Sequence, residues 1–194
     1  MAKEYPIARS RLTLIVGDIC RQTTDAIGNA ANGSLLGGGG VDGAIHRAAG
    51  PQLLEACREV RRALGGERLE VGGATITPGF QLPSKYVIHC VGPMYGRCGG
   101  DCARLLASCY QRALQLCLDH KLDSVAFPSI STGIYGYPID EAAQVAIRAV
   151  RDCLLPTERA LQVRFVLFDE GTYRAYEEAA DNLLEATSSG QLMH

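Results

Sequence analysis

The chain has 194 residues, 47% of them hydrophobic and 21% charged, with a net charge of −2. Such values exclude a disordered protein and predict one domain over 1–194 with a real core, built mainly from residues 12–186. The lack of a basic excess argues against a nucleic-acid binder, and no apolar run nears the ~20 residues that cross a bilayer, so no membrane partner is expected. The opening MAKEYPIARS carries no apolar secretion signal, which points to the cytoplasm. In that compartment the eight cysteines read as thiols rather than disulfides, since most fall on predicted strands and helices.

Leu12–Val16 (LTLIV) is a continuous run of β formers, the pattern of a strand buried on both faces. The turn Gly17-Asp18-Ile19 follows, where Asp18 either caps the turn or accepts a hydrogen bond from an exocyclic amine. Asp25–Ala30 begins a second strand that delivers Asn29 and, just beyond it, Asn32. Their amides suit the hydroxyls of a ligand or simply a turn. Gly28 weakens this strand or marks a close approach by another group.

The stretch from Asn29 to Gly50 reads NAANGSLLGGGGVDGAIHRAAG. The four glycines Gly37 to Gly40 lose more freedom on ordering than any other residues, so their use here implies close backbone approach to a ligand. Val41, Ile45 and Ala49 continue at helical spacing, and the first amides of such a helix favour an anion, typically phosphate. Gly38, Gly39, Gly40, Val41 and Gly43 form the candidate cradle. Gly38, Gly40 and Gly43 formally match G-x-G-x-x-G, yet the glycines do not turn straight out of a strand, and Glu55 and Glu59 sit in a helical pattern rather than ending a second strand. No Lys-Ser or Lys-Thr pair follows, as a Walker A loop requires. Asp42 would repel a diphosphate. It either complements the helix dipole or serves another end, polarising a water or gripping a ribose hydroxyl. His46 reads as a packing or hydrogen-bonding residue.

Pro51–Leu64 makes a second helix, ended by Gly65-Gly66. Ala74–Thr77 and Lys85–Val91 are strand candidates, with His89 a structural histidine in the second. Cys98 and Cys102 flank a Gly-Gly-Asp turn, an offset that fits structural zinc poorly. Asp101–Lys121 is an amphipathic helix. Cys57, Cys109, Cys117 and Cys153 fall on apolar helix faces and read as small core residues. Ser124–Phe127 is a strand whose C-terminal end is where ligands bind in α/β sheets. In the following loop Ser131, Thr132, Gly133 and Ile134 offer amides and hydroxyls to a second phosphate, with Tyr135 and Gly136 closing over a ribose. The alternative is a plain polar connection to the helix Ile139–Leu155. Gln162–Phe168 is the last strand, and Phe168 either stacks on a base or fills the core. Thr172–Ala186 closes the fold as a helix, and Thr187–His194 is expected to fray. This alternation predicts an α/β protein, a three-layer α/β/α sandwich with a mixed, mostly parallel central sheet.

Two blocks, Asn29–Gly50 and Phe127–Pro138 (FPSISTGIYGYP), resemble in sequence and in order the two phosphate loops of the macro domain family, in its MacroD-type branch. The resemblance runs from about Leu12 to Glu178. It implies the macro domain fold, ADP-ribose or O-acetyl-ADP-ribose as ligand, and neither cofactor nor metal. It assigns adenine to Asp18, the Ile19 amide and Phe168, and the distal ribose to Asn32 and Asp42 as catalytic residues, with Asn29 among the ligand contacts. The implied activity is hydrolysis of an ester on that ribose, in the O-acetyl metabolite or in mono-ADP-ribosylated proteins. Asp42 would orient the water, and a substrate phosphate oxygen would share its proton, because a carboxylate is a weak base at neutral pH. A reader module that binds without turnover would use the same pocket, although Asn32 and Asp42 together count against it. A nicotinamide-dependent oxidoreductase lacks here both the strand-to-glycine junction and a separate substrate domain. Gly28 departs from the bulky aliphatic residue usual in the family, which puts in question the packing beneath Asn29.

Overall fold

The computed structural model describes residues 2–185. The expected fraying of Thr187–His194 therefore lies outside the described residues, as does the last residue of the expected closing helix. Seven strands form one sheet: β1 (Ala2–Ile7), β2 (Ser10–Val16), β3 (Ala26–Ala31), β4 (Ala74–Pro78), β5 (Tyr86–Val91), β6 (Ser124–Phe127) and β7 (Gln162–Leu167). Their spatial order is β1-β2-β7-β6-β3-β5-β4. The five inner strands run parallel, while β1 and β4 are antiparallel edges. The helices are α1 (Gly40–Ala49), α2 (Pro51–Ala63), α3 (Cys102–Asp119), α4 (Ile139–Leu154) and α5 (Glu170–Ala180). Among the described residues no helix is long and apolar enough to cross a membrane.

The period-2 alternation of the strands divides the core into two halves and so places the helices. Ile27, Ala31 and Val87 pack against Ile45 and Ala49 of α1 and Leu53 and Cys57 of α2. Ala26, Ile88, Val125, Phe127 and Phe165 face the other way, against α3, α4 and α5. The result is the expected three-layer α/β/α sandwich. Asn29, in step with Ile27 and Ala31, belongs to the α1/α2 side.

Three sequence readings need correction. The N-terminal residues join the sheet as β1, where Tyr5 and Ile7 are buried and Lys3 Nζ and Tyr5 Oη both reach Asp181 Oδ1 at 2.5 Å. Pro6 is tolerated because β1 is an edge strand, and two buried apolar positions are too few to betray a strand in sequence. β2 is not buried on both faces: Leu12 and Leu14 are buried, but Thr13 and Ile15 are half-covered and Val16 is exposed. Last, Cys98 and Cys102 form a disulfide with a Cα–Cα separation of 5.2 Å, where the sequence predicts thiols for all eight cysteines. Gly99 and Gly100, both at positive φ (58° and 93°), fold the chain back and bring the two sulfurs together.

Candidate functional site

The ligand-directed segments gather at the C-terminal ends of the parallel strands. β2 and β7 are neighbours in register, Val16 beside Leu167, and Gly17 N donates to Leu167 O at 3.0 Å. This pairing sets the turn Asp18-Ile19 beside Phe168. Phe168 is 91% exposed. It is therefore not a core residue, a place filled instead by Phe165, and it presents a free aromatic face at the sheet end. Asp18 does cap the turn, since its Oδ1 accepts from Cys20 N at 2.8 Å. The side chain of Ile19 is buried in the core beneath the turn.

β3 and β6, also neighbours, each lead into one of the two loops. After β3, Asn32 braces the first loop: its Oδ1 accepts from Ser34 N and from Ser34 Oγ, and its Nδ2 donates to Gly37 O at 3.0 Å. In this structure Asn32 thus serves the turn chemistry. The buried Leu35 anchors the loop, and at Gly40 the backbone adopts φ 59°, a left-handed turn that suits glycine. Gly39 caps α1 without any side-chain hydrogen bond, and no hydrogen bond among the described residues engages the amides of Gly38, Gly39 or Gly40. The start of α1 is left open, with its donors exposed. Gly43 allows the loop to cross α1 closely, for a Cβ there would stand 2.6 Å from Gly38 O. Val41, in the first turn of α1, is half-buried.

Asp42 is buried at 4% exposure despite its charge. Asn29 Nδ2 donates to Asp42 Oδ1 at 2.7 Å, and His46 Nε2 lies 3.5 Å from the same oxygen. Asp42 Oδ2 is turned towards Gly38, 3.1 Å from where a Cβ of that glycine would sit. The carboxylate therefore lies directly under the glycine loop. Asn29, read from the sequence as a ligand contact, is fully buried behind Asp42; its position in the middle of the α1/α2 face of β3 keeps it away from the loop surface. His46 faces Asp42 along one helical turn rather than packing alone.

The second loop differs from expectation in its donors. The hydroxyl of Ser131 is buried, makes no hydrogen bond within the described residues, and points at Gly92, where a Cβ would stand 2.1 Å from Oγ. Thr132 Oγ1 turns back to Ser129, lying 3.1 Å from its O and 2.9 Å from its Oγ. Neither hydroxyl is directed outward. The amides of Thr132, Gly133 and Ile134, by contrast, make no hydrogen bond among the described residues. The exposed Ile134 reaches across to the first loop, its Cδ1 lying 3.7 Å from a Cβ position on Gly39. Tyr135 O accepts from Tyr95 N at 2.9 Å, and Gly136 N donates to Gly133 O at 3.0 Å, closing the loop. Tyr95 and Gly92, which shape this side, were missed in sequence; only the adjacency of β5 to the site reveals them.

The arrangement offers two sets of free backbone N–H groups flanking one buried carboxylate, with an exposed aromatic ring some strands away. Unpaired amides at a helix start and in a tight loop suit a bridged pair of phosphates, and the ring suits a base. Among the described residues no three His, Cys, Asp or Glu side chains are grouped to hold a metal ion.

The macro domain family model matches residues 28–146. An O-acetyl-ADP-ribose deacetylase of Citrobacter koseri is 53% identical over 171 residues, covering 87% of this chain and 94% of its own. A macrodomain of Oceanobacillus iheyensis solved with ADP superposes with a TM-score of 0.93 at 50% identity, over 96% of this chain and 98% of that one. A Trypanosoma brucei macrodomain solved in complex with ADP-ribose has a TM-score of 0.79 at 39% identity, covering 87% of this chain and 68% of that one.

Proposed function

This chain belongs to the macro domain family, and from that premise we propose that it binds ADP-ribose and hydrolyses an ester on the distal ribose. O-acetyl-ADP-ribose is the first substrate; ADP-ribose esterified to acidic side chains of modified proteins is the second. The observation that carries this reading is the buried Asp42 carboxylate, held by Asn29 at 2.7 Å beneath a helix start whose amides are free.

The free amides of Gly38 to Gly40 and of Thr132 to Ile134 bind the diphosphate from two sides, and Asp18, the Ile19 amide and Phe168 receive adenine. The distal ribose then falls near Asn32, Asp42 and Tyr135. Asp42 orients a water whose oxygen attacks the ester carbonyl carbon. The bond from that carbon to the ribose oxygen breaks, and a carboxylic acid and ADP-ribose leave. The water's proton passes to Asp42 or to a substrate phosphate oxygen and ends on the ribose alkoxide. Placement of the water, rather than a strong nucleophile, supplies the rate. The step uses no metal.

The deacetylase name of the Citrobacter koseri relative and the ADP and ADP-ribose complexes of the structural relatives support this assignment. The test is acetate release from O-acetyl-ADP-ribose by the purified chain, with and without excess chelator. Equal rates in both are expected. Chelator-sensitive activity restored by magnesium or zinc would overturn the metal-free step. Tight ADP-ribose binding with no turnover on either ester would make the protein a reader instead.

A further inference from the structure

Behind Asp42 lies a row of buried polar groups. Asn29 on β3 stands beside His89 on β5 in their parallel register. On the other side Thr75 of β4 is opposite His89, so Thr77, two residues on, shares its face of the sheet. Asn29 and His89 are 0% exposed and Thr77 is 3% exposed. Asn29 Nδ2 is 3.2 Å from His89 Nδ1, and Thr77 Oγ1 is 2.9 Å from His89 Nε2.

The chemistry of the row fixes each proton. An ionised carboxylate only accepts, so the end of the Asn29 amide that faces Asp42 is its NH2. One of its two hydrogens goes to Asp42 Oδ1 and the other to His89 Nδ1, which must therefore present a lone pair. The imidazole proton sits on Nε2 and is donated to Thr77 Oγ1 at 2.9 Å, with Cys57 Sγ a longer contact at 3.8 Å from the same nitrogen. Burial, with a smaller effect of nearby His46, lowers the His89 pKa to about 3, so the neutral ring is the form present at neutral pH. The opposite tautomer would set an N–H against the amide hydrogens and turn the Asn29 oxygen towards the carboxylate. Asn29 Oδ1 makes no hydrogen bond within the described residues, so the amide is held only through its NH2, by Asp42 on one side and His89 on the other.

We propose that His89 is a positioning residue: its Nδ1 accepts from Asn29, Thr77 locks its tautomer, and together they hold the amide that orients Asp42. The proposal rests on the reading of Asp42 as the residue that orients the water. His89→Leu removes the acceptor, whereas His89→Asn returns an oxygen close to the Nδ1 position. The leucine variant is expected to lower kcat on O-acetyl-ADP-ribose by about 10- to 100-fold, the usual cost of a misplaced reacting group. KM and calorimetric ADP-ribose affinity stay unchanged, and the asparagine variant recovers most of the lost kcat. Equal kcat losses in both variants, or a loss matched by weaker ADP-ribose binding, would overturn the proposal.

A second readout is independent of turnover. In 15N-labelled protein the side-chain NH2 signals of Asn29 are expected to shift and lose solvent protection in His89→Leu. Unchanged signals overturn the proposal even if the wild type proves inactive, an outcome that by itself would sink only the hydrolase reading. If His89→Leu does not fold, Thr77→Val combined with Cys57→Ala carries the test, because it keeps the ring and removes both groups that can take the Nε2 proton. Unaltered Asn29 signals in that variant would equally refute the role.

Discussion

The ring of Phe127 lies across the backbone of Gly28: a Cβ added to the glycine would stand 2.5 Å from Phe127 Cδ1 and 3.1 Å from Cε1. Gly28 immediately precedes Asn29, and Phe127 ends β6 just before the second loop, so this contact ties the two halves of the site together beneath the sheet end. It also leaves room for Phe127 to meet Tyr110 edge-on, with ring centroids 5.4 Å apart. The glycine is thus the partner of a large aromatic residue. Gly28→Val is expected to destabilise the protein by about 1 to 2 kcal/mol, since overpacking outweighs the better strand propensity of valine. Adding Phe127→Leu should recover part of that loss. Denaturant unfolding of the three proteins decides it, and a valine variant as stable as the wild type would mean that the ring moves aside freely.

Phe168 exposes 91% of its surface and so contributes almost nothing to the core. Phe168→Ala is expected to leave stability within about 0.5 kcal/mol of wild type. Loss of a stacking face should weaken ADP-ribose by about 0.5 to 1.5 kcal/mol, roughly two- to twelvefold. Calorimetry giving equal affinities for the two proteins would remove Phe168 from the adenine site.

The parallel strands, the helices and both loops were legible because hydrophobic period and glycine placement are local properties. Ser124–Phe127 coincides with β6, and the helix expected from Val41 begins one residue earlier. What sequence spacing did not carry was sideways information. Whether Ser131 and Thr132 point outward depends on Gly92 and Ser129, and the burial of Asn29 depends on what β5 and α1 bring against it. The disulfide was illegible for a related reason, since it follows from the fold-back at Gly99 and Gly100 and not from the cysteine count.

Asp25 sits at the opposite end of the sheet and gives a pH signature. Its Oδ2 accepts from Asp123 N at 2.9 Å, while its own amide donates to Ser124 Oγ at 2.8 Å, joining the starts of β3 and β6. The bond from the Asp123 amide, with help from Lys85, lowers its pKa below the ordinary carboxylate value. A group lowered on folding contributes its full stability above the unfolded pKa, about 3.9, and loses it as pH falls through the folded value. Asp25→Asn should therefore cost about 1.5 kcal/mol at pH 7. The gap between wild type and variant is expected to close below about pH 4. A gap that is constant from pH 7 to pH 2 would show that the charge is irrelevant to this contact.

Asp42 separates an enzyme from a reader, and its surroundings determine which variants are informative. Asp42→Ala removes the water-orienting carboxylate and is expected to cut turnover by about 10²-fold or more. It also strips Asn29 Nδ2 of its 2.7 Å partner, a buried donor whose loss of a bond costs about 1 to 3 kcal/mol of stability. Asp42→Asn keeps the volume and an acceptor for Asn29, so it should stay near wild-type stability while losing turnover to a similar degree. ADP-ribose affinity is expected to hold or improve in both, because a negative charge beside a diphosphate has gone. If the carboxylate instead grips a ribose hydroxyl, affinity falls by about 1.5 to 3 kcal/mol. Asn32→Ala is the contrast: since Asn32 braces the loop through Gly37 O and Ser34, binding and turnover should fall together. Melting curves, calorimetry and acetate release on the same four proteins separate these outcomes. Turnover that survives both Asp42 substitutions would end the role of the carboxylate and leave the substrate phosphate as the only base.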